Sequence, residues 1–356
     1  MTTTIRLRGP ADIISVLPYH LGYQPTDSIL LVCLRGSRLV MVARMDLPPP
    51  DLDPGALVDE LLPPVLREHP DLVSIVCFED DAMTAGTSEV VSSVVRDELA
   101  RSGVTVANRL LVRAGRWWSL ERDGLCCPPD GLPLPAPEEV PAIAQYIVMG
   151  RDPARDREGL VERVSGRVSA RDPLDDTRCA ALIRHLDESG RSKRTLSRFR
   201  RDALRHWGRV LSEPPTTQVP AESWSWACVS MLDIPVRDLL VAWLCPGTLD
   251  LEVFSPALLR QAGECLPAGP DTRGARDEET IVHDGVLARL EQLCRRAPRE
   301  LAAGPLTLLA QAAWWHGDGA LARIAVEEAL AVDPAYRLAL LVEPMIDFAM
   351  RPERTA

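Results

Sequence analysis

Six prolines crowd residues 128–141, and the hydrophobic pattern changes character across them. Before that stretch, short runs of Val, Leu and Ile alternate with amphipathic segments. After it, every periodic segment has helical spacing. At 356 residues the chain is about twice the usual single-domain length, so two domains are expected. The reading is an α/β mixed-sheet domain over 1–127, a proline-rich linker over 128–141 and an all-helical domain over 142–356. Pro, Gly and charge at 268–279 predict a mobile loop inside the helical half.

The order expected for the first domain is α-ββαβαββ. Residues 28–35 and 38–47 are strands with only Gly36 and Ser37 between them, a hairpin signal. Asp53 is the predicted N-cap of a helix over 54–69, with Pro54 just inside it. Leu72 to Phe78 is a continuous apolar run, the mark of a strand buried on both faces. A helix over 87–101 ends at Gly103, and strands follow over 104–112 and 116–120. A strand–helix–strand path predicts that 72–78 runs in the direction of 38–47. A mixed sheet with helices packed on it results.

Composition narrows the function classes. Apolar residues are 46% and charged residues 26%, so each half can bury a core. The net charge of −11 argues against nonspecific binding of nucleic acid or anionic membrane by the whole protein. No apolar run approaches the ~18 residues of a bilayer span. Met1 to Arg6 lacks a basic segment followed by an apolar one, so no signal peptide is expected. Nine cysteines, an odd number without framework spacing, predict reduced thiols in a cytosol.

Phosphate-loop, nucleophile-elbow and zinc-protease motifs are all missing, and the six histidines are scattered. One constellation follows from topology. The start of strand 28–35 and the ends of strands 38–47, 72–78 and 104–112 should share a sheet edge. That edge would collect Asp27, Ser28, Asp46, Glu79, Asp80, Asp81 and Arg113. Ligands of α/β sheets favour the carboxyl ends of parallel strands, and clustered carboxylates there could hold Mg²⁺ or act as acid and base. The bland alternative is a row of solvated turn residues and helix caps. Cys126 and Cys127 fall on a tight turn at the opposite edge, without a CxxC partner.

Residues 191–209 carry eight basic side chains against one acid, Asp202, a net +7; the rest of the chain carries −18. Leu196, Phe199, Ala203, Leu204, Trp207 and Leu211 form an apolar stripe at helical spacing. Arg194, Arg198, Arg201 and Arg205 lie off that stripe as a candidate basic patch. A phosphate-rich partner is one reading. A helix docked on an acidic surface of the same protein is favoured, because aromatic residues do not interleave with the charges.

Residues 306–334 resemble one tetratricopeptide repeat, with Gly317 and Asp318 at the turn, Ala322 and Ala329 where helices touch, and Pro334 at the end. No second copy is present, so a hairpin closing the domain's own core is favoured over a binding array.

The chain as a whole resembles the domain-of-unknown-function family 4192, found mainly in actinobacteria. The matching pieces are ISVLPYHLGYQPTDS at 14–28, VARMDLP at 42–48, RWWS at 116–119 with CCPPDG at 126–131, VRD at 236–238, GDGALA at 317–322 and DPAY at 333–336. Family members often carry another cysteine shortly before the CCPP peptide, where Leu120 and Glu121 stand here; that departure speaks against a metal role for Cys126 and Cys127. The resemblance implies an architecture and a cytosolic bacterial setting, without a chemistry. The expectation is a non-enzymatic interaction or regulatory protein, with a protein partner on the helical half. The alternatives are a Mg²⁺- or ligand-binding hydrolase at the carboxylate edge and, more weakly, nucleic-acid binding through 191–209.

Overall fold

The computed structural model describes residues 7–49, 53–80, 86–121, 128–148, 151–165, 173–212, 218–268, 276–348 and 350, with side chains left aside over 276–284. Asp81, Cys126 and Cys127 lie outside the described residues. So do 269–275 of the expected mobile loop. Two compact units divide the chain, residues 5–157 and 158–356.

The first unit is a six-stranded mixed sheet with helices. Its order along the chain is α1 (Pro10–Leu21), β1 (Ser28–Arg35), β2 (Arg38–Asp46), α2 (Pro54–Arg67), β3 (Leu72–Phe78), α3 (Thr87–Arg101), β4 (Thr105–Arg113), β5 (Arg116–Ser119), β6 (Leu132–Pro133) and α4 (Pro141–Val148). The sheet order is β2-β1-β3-β4-β5-β6. β3 runs in the direction of β2, as the crossover requires, but it sits beside β1 and pairs antiparallel with it. The reason is burial. Ser28 to Cys33 are all buried, so β1 needs a neighbour on each side, whereas β2 is exposed at both ends and forms the sheet edge. β3 and β4 pair in parallel.

Side chains of odd number on β1 and β3, including Ile29, Leu31, Ile75 and Cys77, pack under α2 and α3 with Leu61, Val65, Val91, Val95 and Leu99. Leu30, Val32, Val76 and Phe78 point to the other face and are equally buried. Asp53 caps α2 by accepting from the Gly55 N–H at 2.9 Å. The proline-rich stretch is woven into this unit: Trp117 and Arg116 pair with Leu132 and Pro133. Gly131 there lies against Trp118, and a Cβ would sit 2.4 Å from the indole.

The second unit is helical throughout its described residues: α5 (Arg157–Ser165), α6 (Asp176–Ser189), α7 (Lys193–Ser212), α8 (Ala221–Ser230), α9 (Ile234–Leu244), α10 (Pro256–Cys265), α11 (Arg276–Arg296), α12 (Ala303–His316), α13 (Gly319–Val332) and α14 (Arg337–Asp347). α11 begins at Arg276, taking residues 276–279 from the expected loop. α12 and α13 form the expected hairpin. Ala310, Ala313, Ala322, Ala325 and Ala329 are fully buried between helices, where a larger side chain would push the axes apart. Gly317 makes the turn at φ 86°, and Asp318 caps α13 through the Leu321 N–H. α14 packs on this hairpin through Ala339, Val342 and Ile346. Among the described residues no helix is long and apolar enough to cross a membrane.

Candidate functional site

The register brings the expected sheet edge together. Ser28 is opposite Asp46 on one side and Phe78 on the other, and Phe78 is opposite Val112. Asp27, Asp46, Glu79, Asp80 and Arg113 are therefore neighbours in topology. Their side chains, however, are largely engaged in holding the edge. Asp27 takes a positive φ of 39°, a conformation that Asp tolerates better than most residues. Its carbonyl accepts from Leu47 N–H at 2.8 Å, and its carboxylate accepts from Asp80 N–H at 3.0 Å. One aspartate thus ties the strand β1 to the ends of β2 and β3.

Glu79 is 1% exposed. One carboxylate oxygen accepts from the Ser88 N–H at the start of α3, at 2.9 Å, and the other from the Arg113 guanidinium. Burial pushes its carboxyl up, but hydrogen bonds from Ser88, Arg113 and the Gly86 backbone more than offset this and hold it below its ordinary value. Glu79 is thus a remote cap for α3 and an ion-pair partner for the end of β4. Sequence reading missed Ser88, because a carboxylate nine residues upstream is no local capping signal. Burial, then the Asp27 carboxylate, push Asp80 up. Asp46 points to solvent and pairs with Arg44 on its own strand at 2.5 Å. Ser28 is fully buried, and its hydroxyl has no partner among the described residues. Among those residues no three His, Cys, Asp or Glu side chains are grouped to hold a metal ion. An open cleft of about 420 Å³ lies elsewhere in the unit, lined by Arg96, Ala100, Gly103, Val106 and Glu121.

The basic segment forms α7, and its two halves differ. Phe199, Ala203, Leu204, Trp207, Gly208, Val210 and Leu211 are buried, so α7 runs through the core from Phe199 onward. Arg200 docks on an acid of the same unit, as the favoured reading required: its guanidinium meets the Asp233 carboxylate at 3.1 Å. Among the described residues Arg200 is the only basic side chain of 191–209 that pairs with an acid from outside α7. Arg194 and Arg198 are exposed and have no ion pair among the described residues. Arg205 is exposed and reaches Asp202 one turn back. Arg201 is half-buried, and its Nε has no partner among the described residues. Beside this helix an aromatic group has assembled that its own sequence did not announce. His206 stacks on Trp226 at 5.3 Å and donates to or accepts from Ser223, while His185 and Phe199 close the other sides of the indole. No spacing rule finds it, since Trp226 comes from α8 and His185 from α6.

A mixed-sheet unit followed by a helical unit defines an α+β protein. The chain belongs to the family described as Domain of unknown function (DUF4192), whose model matches residues 10–264 and 280–353. No curated protein and no solved structure matches it.

Proposed function

We propose that this is a non-enzymatic interaction or regulatory protein of the cytosol that meets a protein partner through its helical half. The observation that carries the reading is the outer face of α14. Its inner residues Ala339, Val342 and Ile346 are buried, whereas Leu340, Leu341 and Phe348 are 45%, 62% and 63% exposed. Large apolar side chains grouped on one helix face mark contact surfaces. The α12–α13 hairpin beneath resembles a tetratricopeptide unit, in which small residues let helices stack and leave the last helix available for another contact. Free thiols at all seven described cysteines suit a reducing compartment. A Mg²⁺- or ligand-binding hydrolase at the carboxylate edge is the weaker reading, because Glu79 uses both oxygens on Ser88 and Arg113.

The test is co-purification from the native host, comparing wild type with Leu341→Glu by mass spectrometry. Leu341 is exposed, so the variant should keep the wild-type unfolding midpoint. A protein enriched with wild type and lost with the variant is expected; identical protein sets from both forms would sink the proposal.

A further inference from the structure

The geometry points to a second, independent activity: α6 and α7 form a helix-turn-helix whose exposed arginines, Arg194, Arg198, Arg205 and Arg209, bind the backbone and major groove of duplex DNA. Gly190, Arg191 and Ser192 are the whole connection between α6 and α7. A three-residue turn containing glycine is the length this motif uses. Thr195 pins the turn by donating its hydroxyl to the carbonyls of Ser189 and Ser192, at 2.8 and 2.9 Å. α8 packs against both helices and completes a three-helix unit.

α7 is held from Ser197 onward, where the Ser197 carbonyl and hydroxyl oxygens accept from Gln261 of α10, and its first turn is largely exposed. Trp207 donates to Ser230, Arg200 pairs with Asp233, and the Gly208 backbone lies against α10. Lys193, Arg194, Thr195 and Arg198 are exposed. In this motif the N-terminal residues of the second helix are the ones that contact base edges. An α-helix with its side chains is about 10–12 Å across and fits a major groove about 12 Å wide.

The charges are arranged for an elongated anion. Arg194, Arg198, Arg201, Arg205 and Arg209 advance by four, three, four and four residues. At 100° per residue they stay within a sector of about 80°, over about 22 Å of helix. The first turn holds Lys193 and Arg194 and no acid, so side-chain charge adds to the positive end of the macrodipole instead of compensating it. Guanidinium groups suit phosphate because they bind it bidentately. Asp202 stands at the margin and is paired with Arg205. The −18 carried by the rest of the chain opposes long-range attraction, so the expected affinity is modest and confined to low salt.

The test uses the full chain and a fluorescein-labelled 20-base-pair duplex, read by anisotropy. Binding at 50 mM salt is expected, weakening by roughly a hundredfold to five-hundredfold at 200 mM if four or five phosphates are contacted. The triple variant Arg194→Ala, Arg198→Ala, Arg205→Ala should lose binding at least tenfold and flatten the salt dependence, at an unchanged unfolding midpoint. If that variant fails to fold, the single charge reversal Arg198→Glu makes the same test. Folded wild type that leaves the duplex unbound at 50 mM salt overturns the proposal. So does a folded variant that binds like wild type, or a single strand of equal length that binds tenfold more tightly than the duplex. None of these outcomes depends on α14.

Discussion

Gly208 of α7 and Cys265 of α10 meet backbone to backbone: a Cβ on Gly208 would stand 2.0 Å from the Cys265 carbonyl oxygen. Only a residue without a side chain allows that approach. Gly208→Ala must therefore move α7 away from α10 or distort one of them. We expect a loss of about 2–3 kcal/mol, the upper range for overpacking a core, read as a lower urea midpoint. A midpoint within error of wild type would show that the two helices separate freely.

Asp233 has two duties. Its carboxylate takes the Arg200 guanidinium and also caps α9 by accepting from the Val236 N–H at 3.1 Å. Both groups are largely buried, at 21% and 6% side-chain exposure. Asp233→Ala removes a cap and strands a cation, so a loss of about 3–5 kcal/mol is expected. Arg200→Met, which leaves the cap in place, should cost less. Equal losses in urea unfolding would refute this division of labour.

Glu79 should make the first unit acid-sensitive. Its folded-state pKa lies below the ordinary value, so the unfolded chain protonates first. The stabilisation is complete above about pH 4.3 and is lost as pH falls through the folded value. Glu79→Gln should destabilise by about 1–2 kcal/mol at pH 7, a range discounted for the exposure of Arg113, and should flatten the midpoint between pH 3 and 5. An unchanged pH profile would count against the Ser88–Glu79–Arg113 chain as the closure of this edge.

His206 carries the opposite charge type with the same sign of effect. Burial pushes it below 6.5; Arg209 acts in the same direction, while Glu222 and Asp202 oppose it. The neutral ring stacked on Trp226 is the favoured form. Stability should be level above about pH 6.5 and decline below it, as the unfolded chain takes up the proton first. His206→Asn should remove part of that decline in urea titrations from pH 8 to 5. Parallel profiles would place the pH dependence elsewhere.

Much of the carboxylate edge could be read from residue order. A two-residue turn at Gly36 and Ser37 aligns Ser28 with Asp46, and a helical crossover returns β3 in the direction of β2. Those are short-range rules. What Glu79 does with its oxygens was out of reach, because its partners Ser88 and Arg113 are brought by α3 and β4, and neither contact has a sequence period. For the same reason the arginines off the apolar stripe of 191–209 could not be sorted by environment: Arg198 is exposed, whereas Arg201 is half-buried. Two residues of rotation, about 200° on a helix, separate the exposed Arg198 from Arg200, which pairs with Asp233.

Most elements in both halves, β6 and the start of α11 excepted, followed from periodicity, caps and turn residues, because those forces act within a few residues along the chain. Only the tertiary structure decided that β1 lies between β2 and β3, that the 128–141 segment supplies an edge strand, and that Gly208 must be glycine. Each of these depends on surfaces far apart in sequence competing for the same buried space, and packing, not local preference, settles that competition.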